Sequence, residues 1–280
     1  MKTGKAIWEL TRLEHGFIYG LGVVAGAYIA LGEFDFRLSV FGFFTALFLQ
    51  ASAFALNDYF DYEVDITNKR LDRPLVRGEL SKKDALIIAA VFAVPGFIFA
   101  CLISIPAFLL ALGITVLGYA YDVKLKEFGL AGNAYIAFSM AAPFIFGGVV
   151  AGNLNSEILL LSSIAFLSGL AREIMKGIED IEGDALRDVK TLARMYGAEK
   201  ASKVSAFLFI TAILLSFAVM LIPEYADIKY FIPVAICDVL LLDSARRLFS
   251  GVDTVDIRSL RKKTMIALLF GLVGFLLGAV

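Results

Sequence analysis

The sequence predicts an all-α integral membrane protein, with about nine transmembrane helices forming one bundle around a central cavity and candidate active-site loops on the cytoplasmic side. Three observations carry this expectation. Hydrophobic residues make up 59% of 280, with 25 Phe, far more apolar surface than a soluble core of this size needs. The apolar residues fall into nine runs, each near the roughly 20 residues that cross a bilayer. Lysine and arginine gather in alternate connecting segments.

Taken in order, the apolar runs are residues 15–32, 38–56, 84–104, 105–121, 130–151, 156–175, 201–222, 228–248 and 264–280. The first lacks a small-residue cleavage site and is followed by further spans, so it reads as a helix rather than a signal peptide. The third and fourth are divided at Ser104-Ile105-Pro106, where a proline can start a helix as well as kink one. No soluble domain can be cut from the chain. Residues 1–280 form a single polytopic domain, whose longest polar segments are about 57–83 and 172–203.

Charge distribution tests the count. With a cytoplasmic N-terminus, the inside segments 1–14, 57–83, 122–129, 172–203 and 246–263 hold 24 of the 26 Lys and Arg residues, and only Arg37 and Lys229 lie outside. That is the bias of the positive-inside rule. It places the N-terminus and both long polar segments in the cytoplasm and the C-terminus outside, in what is expected to be the cell membrane. The net charge of -1 therefore conceals a basic face that suits phosphate-bearing substrates and anionic lipid headgroups alike. Neither a nucleic-acid nor a protein partner is implied. Cys101 and Cys237 fall inside expected spans without metal-ligand spacing and read as apolar packing.

Two acidic clusters stand at the ends of apolar runs: Asn57-Asp58-Tyr59-Phe60-Asp61-Tyr62-Glu63-Val64-Asp65 and Asp180-Ile181-Glu182-Gly183-Asp184. Ionisable groups so close to membrane depth are functional hypotheses by default. On a helix, Asn57, Asp61 and Asp65 share one stripe, as do Asp180 and Asp184. Four spans separate the clusters, so both emerge on one face. Brought together, each like-charge pair at about 6 Å costs roughly 3 kcal/mol at an effective dielectric of 20. A cation should relieve that repulsion. Magnesium fits, because it takes hard oxygen ligands and is often held by a few carboxylates plus substrate phosphates. His15 is the only histidine and no cysteine lies near either cluster, which disfavours zinc and copper. Lys69, Arg70, Arg73 and Arg77 follow the first cluster, Lys124 and Lys126 follow the fourth span, and Lys176, Arg187 and Lys190 bracket the second cluster. They could contact a diphosphate directly or serve only as topology signals.

The first cluster resembles the NxxxDxxxD motif of the UbiA superfamily of intramembrane prenyltransferases, and the second is similar to its DxxxD motif. The flanks agree. Asn68, Asp72-Arg73-Pro74-Leu75 and Gly78 resemble the family's continuation, Tyr121 with Lys124 its YxxK, and Thr191-Leu192-Ala193 through Gly197 the stretch after the second motif. The resemblance covers essentially the whole chain. It implies a membrane-embedded, Mg²⁺-dependent transferase that moves a prenyl chain from an isoprenyl diphosphate to a lipophilic acceptor. Asn57, Asp61 and Asp65 would hold one ion and Asp180 with Asp184 a second, the two ions bridging the diphosphate. Arg73, Lys124 and Lys176 would neutralise oxygen charge as diphosphate leaves, and Tyr121 would line the substrate site. Asp58, Glu182 and Asp188 fall off the motif positions and are expected to play supporting parts. Negative charge grows on diphosphate during such a step. Positive charge grows on the prenyl carbon, where Tyr59, Phe60, Tyr119, Tyr121 and Phe128 are aromatic candidates.

Within the family the acceptor is an aromatic acid, a porphyrin-like ring or a prenylated glyceryl phosphate. The expectation leans to an aromatic, quinone-type acceptor over geranylgeranylglyceryl phosphate, although the basic run Lys69-Arg70-Leu71 would favour a phosphorylated one. Arg12 is placed to meet an anionic acceptor, with His15 nearby as a proton acceptor or a helix-start residue. Two other classes compete. An ion-coupled transporter would use acidic pairs, with Asp238 and Asp243 in the eighth run as its intramembrane charges. An intramembrane aspartyl protease would use Tyr121-Asp122, but Ile181-Glu182-Gly183 before Asp184 lacks the first glycine of GxGD and no Pro-Ala-Leu occurs.

Overall fold

A computed structural model describes residues 2–186, 189–251 and 254–279, apart from the side chains of residues 2, 184, 186 and 254–256. Among the described residues the chain is helical throughout: α1 (Lys2–Thr11), α2 (Leu13–Leu31), α3 (Phe36–Thr67), α4 (Lys82–Ile103), α5 (Ile105–Val123), α6 (Leu130–Val150), α7 (Ser156–Glu179), α8 (Ile181–Leu186), α9 (Leu192–Tyr196), α10 (Ala198–Val219), α11 (Ile228–Phe249) and α12 (Thr254–Gly278). Seven of these, α2 to α7 and α10, are long and apolar enough to cross a membrane, against the nine spans expected. The other two long helices are interrupted by charge. Lys229, Asp238, Asp243, Arg246 and Arg247 lie along α11, and Arg258, Arg261, Lys262 and Lys263 occupy the start of α12.

Helix ends follow local chemistry. Asp35 caps α3 by accepting from the Leu38 N–H at 2.8 Å. Ser81 and Asp84 form a reciprocal capping box on α4, which satisfies two otherwise orphaned N–H groups. Ser104 both ends α4 and caps α5, accepting from the Ala107 N–H at 3.2 Å, with Pro106 in the first turn. The division at Ser104-Ile105-Pro106 is therefore real: the proline starts a helix where its missing N–H costs nothing.

The chain forms two compact units. The first comprises Met1–Ala27, Phe34–Lys124 and Phe146–Asn153. Its first core cluster joins Ala6 and Leu10 of α1 to Ala55 of α3, Leu75 and Leu80 of the following loop, and Ala85 and Ala89 of α4. A second cluster packs Val23, Ala27, Ala100, Ala107, Phe146 and Val150. Only glycine permits this approach at position 147, because a Cβ there would lie 2.5 Å from the Val23 carbonyl oxygen and 2.6 Å from the Ala27 nitrogen.

The second unit comprises Tyr28–Glu33, Leu125–Ile145 and Leu154–Val280. α7, α10, α11 and α12 share a core that includes Ile174, Met175, Phe209, Leu241, Ile257 and Leu260. Ser205 of α10 donates to the Ala171 carbonyl of α7 at 2.9 Å in this buried contact. Val91, Ile98, Leu109, Val116 and Leu214 are exposed on the surfaces of α4, α5 and α10. Such apolar faces suit lipid, where helices satisfy their own backbone groups.

Candidate functional site

α3 has 32 residues, about 48 Å at 1.5 Å per residue, so it exceeds the roughly 30 Å hydrocarbon core. Its surplus carries the first acidic cluster. Asp58 and Asp65 are buried and Asn57 and Asp61 half-buried. At 100° per residue Asp58 lies only about 20° from Asp65 around the helix. The reading by four-residue steps missed this, and Asp58 belongs to the acidic face rather than beside it.

Asp58 is the most enclosed carboxylate of the cluster, 1% exposed. Its Oδ1 accepts from the Arg12 guanidinium, and Arg73 Nη1 stands 3.7 Å from the same oxygen. Asp58 Oδ2 is buried without a hydrogen-bond partner among the described residues. Arg12 reaches Asp58 because the chain breaks between α1 and α2, where Arg12 itself takes a left-handed φ of 44°. Its guanidinium lies 4.4 Å over the Phe54 ring, and burial pushes its pKa below the usual arginine value despite the facing Asp58. Arg73 Nε is 3.8 Å from Asp65 and 3.7 Å from Asp72. That nitrogen is also buried without a hydrogen-bond partner. Arg73 thus stands among three carboxylates without being saturated by any.

The neighbouring cations are differently employed. Arg70 grips Asp72 through two hydrogen bonds of 2.9 and 2.8 Å, which hold the Asp72 pKa down at about 2. Arg77 binds Glu79, Glu9 and the Leu71 carbonyl. Both tie the loop together. Lys82 Nζ lies 5.1 Å over Tyr59 and 5.2 Å over Tyr62, so a lysine already covers the Tyr59 ring.

Asn57 donates through Nδ2 to Asp122 Oδ1 at 2.7 Å. A carboxylate only accepts, so this bond leaves the amide oxygen as the Asn57 acceptor. Asp122, buried at the end of α5, therefore orients Asn57. Its neighbours Tyr121 and Lys124 were legible in the sequence, but its own part was not. Tyr121 is half-buried and Lys124 is the exposed C-cap of α5. Phe60 meets Tyr119 edge-on at 5.5 Å, joining the same two helices.

The second acidic cluster lies in the other unit and departs from a continuous stripe. α7 stops at Glu179, Asp180 is its C-cap with an N–H donated to the Lys176 carbonyl at 3.0 Å, and α8 begins at Ile181. Asp180 is exposed. The Asp184 side chain, Arg187 and Asp188 lie outside the described residues. Lys176 is exposed and 3.7 Å from Glu173. Glu179, which carried no sequence signal, binds Arg258 at 2.9 Å and Arg261 at 3.0 Å. The loop beyond is set by Gly129, whose φ is +39° and whose Cβ, if present, would lie 1.7 Å from the Lys190 carbonyl oxygen.

Both clusters sit at helix C-termini, where backbone carbonyls add negative potential to that of the carboxylates. Asp65 is in the last turn of α3 and Asp180 caps α7. Such placement is unfavourable unless a cation binds. Among the described residues no three carboxylate, histidine or cysteine side chains converge as a ready metal cage. The donor set, carboxylate and amide oxygens with an orphaned buried oxygen nearby, fits magnesium, which takes only one or two protein carboxylates and fills its shell with water and phosphate.

Residues 20–270 match the model of the UbiA prenyltransferase family. The chain is 53% identical over 279 residues to a digeranylgeranylglyceryl phosphate synthase of Archaeoglobus fulgidus, covering 98% of this chain and 95% of that protein. It is 35% identical to the enzyme of that name from Thermococcus sibiricus, covering 99% and 98%. A solved structure concerned with digeranylgeranylglyceryl phosphate synthase in membranes superposes with a TM-score of 0.88 at 30% identity, covering 100% and 99% of the two chains. A UbiA homolog from Archaeoglobus fulgidus bound to GPP and Mg²⁺ shares the fold, with a TM-score of 0.69 at 21% identity over 98% and 100%. None of these relatives supports the lean towards a quinone-type acceptor.

Proposed function

This chain belongs to the UbiA prenyltransferase family, and on that premise we propose that it moves a geranylgeranyl chain from geranylgeranyl diphosphate to the free hydroxyl of geranylgeranylglyceryl phosphate. It is an integral membrane prenyltransferase. The acceptor rests on the 53% identity, over nearly the full chain, with a protein named for the product of that transfer. In the step, the allylic C–O bond breaks with its electron pair going to diphosphate. The acceptor oxygen bonds to the prenyl carbon and its proton is released. Membership of the family displaces the transporter and protease readings.

Asn57, Asp61 and Asp65 would hold one Mg²⁺ and Asp180 with Asp184 another, and the ions would offset the charge growing on the departing diphosphate. Arg73 would add a cation beside the first of these sites, since its Nε is buried yet unbonded. Arg12 is engaged by Asp58, which supports a part in holding the acidic face rather than in binding an anionic acceptor. Lys124, Tyr121 and Lys176 remain proposed substrate contacts, the lysines for phosphate oxygens. The lysine and arginine bias supports a cytoplasmic N-terminus and an outward C-terminus.

The test is diphosphate release by the purified protein in detergent, with geranylgeranyl diphosphate and Mg²⁺ and one of geranylgeranylglyceryl phosphate, 4-hydroxybenzoate or no acceptor. Release is expected only with the glyceryl phosphate. Release that depends on 4-hydroxybenzoate instead would restore the quinone-type acceptor and overturn this reading.

A further inference from the structure

The second unit contains an apolar cavity of about 230 Å³ whose wall includes Leu161, Ala165, Arg172, Asp238, Leu241 and Met265. Its mostly aliphatic and aromatic lining suits part of a hydrocarbon chain. Along α7, Leu161 and Arg172 are eleven residues apart, about 16 Å, which makes the site elongated. Arg172 is eight residues before Asp180, about 12 Å from the end of α7. An arginine at that depth should have an anionic partner. It has no ion pair among the described residues. Its Nε is buried without a hydrogen-bond partner. The carboxylate that acts on it, Glu173, is 3.7 Å from Lys176. Asp238 on the cavity wall instead accepts from Ser216 at 2.7 Å.

A second arginine sharpens the case. Arg261 is close enough to act on Arg172 as a like charge, and its own Nε is also buried and unbonded, although its Nη1 reaches Glu179 at 3.0 Å. Arg172 on the wall of an apolar slot, with an unspent buried donor and a second such arginine near it, calls for an oxyanion carried on a hydrocarbon chain. We propose that Arg172, with Arg261 behind it, binds the phosphate of the prenylated glyceryl phosphate acceptor, whose chain runs into this cavity. The assignment rests on the acceptor proposed above and makes Arg172 a specificity-determining residue for it.

Binding is measured by calorimetry in detergent without Mg²⁺, using geranylgeranylglyceryl phosphate, geranylgeranylglycerol, geranylgeranyl diphosphate and dioleoyl phosphatidic acid as probes. Arg172→Gln is expected to weaken the glyceryl phosphate about tenfold or more while moving the other three by less than about twofold. Ala165→Phe, which narrows the cavity, is expected to weaken both geranylgeranylglycerol compounds. Wild-type affinity of Arg172→Gln for the glyceryl phosphate would overturn the proposal, as would equal losses for the diphosphate or phosphatidic acid. Should Arg172→Gln fail to fold, Arg172→Lys decides, because a point charge cannot reproduce the guanidinium fork: a weakened acceptor supports the site and wild-type affinity refutes it. Turnover separates the two readings. A wild-type protein that binds the glyceryl phosphate but never prenylates it refutes the acceptor reaction and leaves the Arg172 site standing. Active transfer with an unchanged acceptor KM in Arg172→Gln refutes the site alone.

Discussion

Arg12 and Asp58 are 14% and 1% exposed at their side chains and directly paired, so each depends on the other for its charge. Removing one partner of a buried pair leaves the second uncompensated and costs roughly 3 kcal/mol. Asp58→Ala is therefore expected to lower unfolding stability by that order. The double variant with Arg12→Met should lose less than the sum, and full additivity in a denaturation cycle would show that the pair is not coupled. Asp61→Asn should behave oppositely. It keeps side-chain volume and removes a negative charge near the negative pole of α3, so stability should hold or rise slightly while Mg²⁺-dependent transfer disappears. Retained transfer in Asp61→Asn would refute the metal assignment. The sequence carried both residues but ranked them by motif position, and only the helical angle and a contact across 46 residues reveal that Asp58 is the structural one.

At the scale of elements, the loop between α3 and α4 is held by paired charges rather than by secondary structure. Arg70 depresses Asp72 from 3.8 to about 2. A depressed carboxylate contributes stability above its unfolded pKa, and that contribution is lost as pH falls through the folded value. The loop should loosen between about pH 4 and pH 2, with a modest effect because Asp72 is exposed. Proteolysis of this loop should show the acid step in the wild type and lack it in Asp72→Asn; identical profiles would mean that the Arg70 grip contributes nothing. Gly129 fixes another loop by close backbone approach. Gly129→Ala combines a left-handed φ with a clash against the Lys190 carbonyl, so a loss of at least about 1 kcal/mol is expected. Unchanged thermal unfolding would contradict the contact. The helix boundary at Ser104 was legible because a proline beside a capping serine is local chemistry. The break at Asp180 was not: the glycines on either side, Gly177 and Gly183, are each three residues away, and the flanking spacing reads equally well as one continuous stripe.

Across the whole molecule, membrane character was legible because it is a property of composition, whereas the number of spans depends on where charge is tolerated. The long helices α11 and α12 illustrate this: their apolar runs predict spans, while Asp238, Asp243 and the basic start of α12 keep both outside the seven helices that qualify by length and composition alone. Orientation can be tested within the second unit alone. α10 has 22 residues, about 33 Å, enough to carry the chain across a core of about 30 Å. Lys200, in the first turn of α10, and Lys229, at the start of the next long helix, are both exposed and belong to opposite ends of that crossing. Single cysteines replacing them, in a background with Cys101→Ser and the buried Cys237 retained, are to be probed on intact cells with a membrane-impermeant maleimide. The charge bias predicts labelling at 229 without permeabilisation and at 200 only after it. The reverse pattern would invert the orientation and put the acidic clusters outside the cell, while labelling of both in intact cells would mean that α10 does not cross.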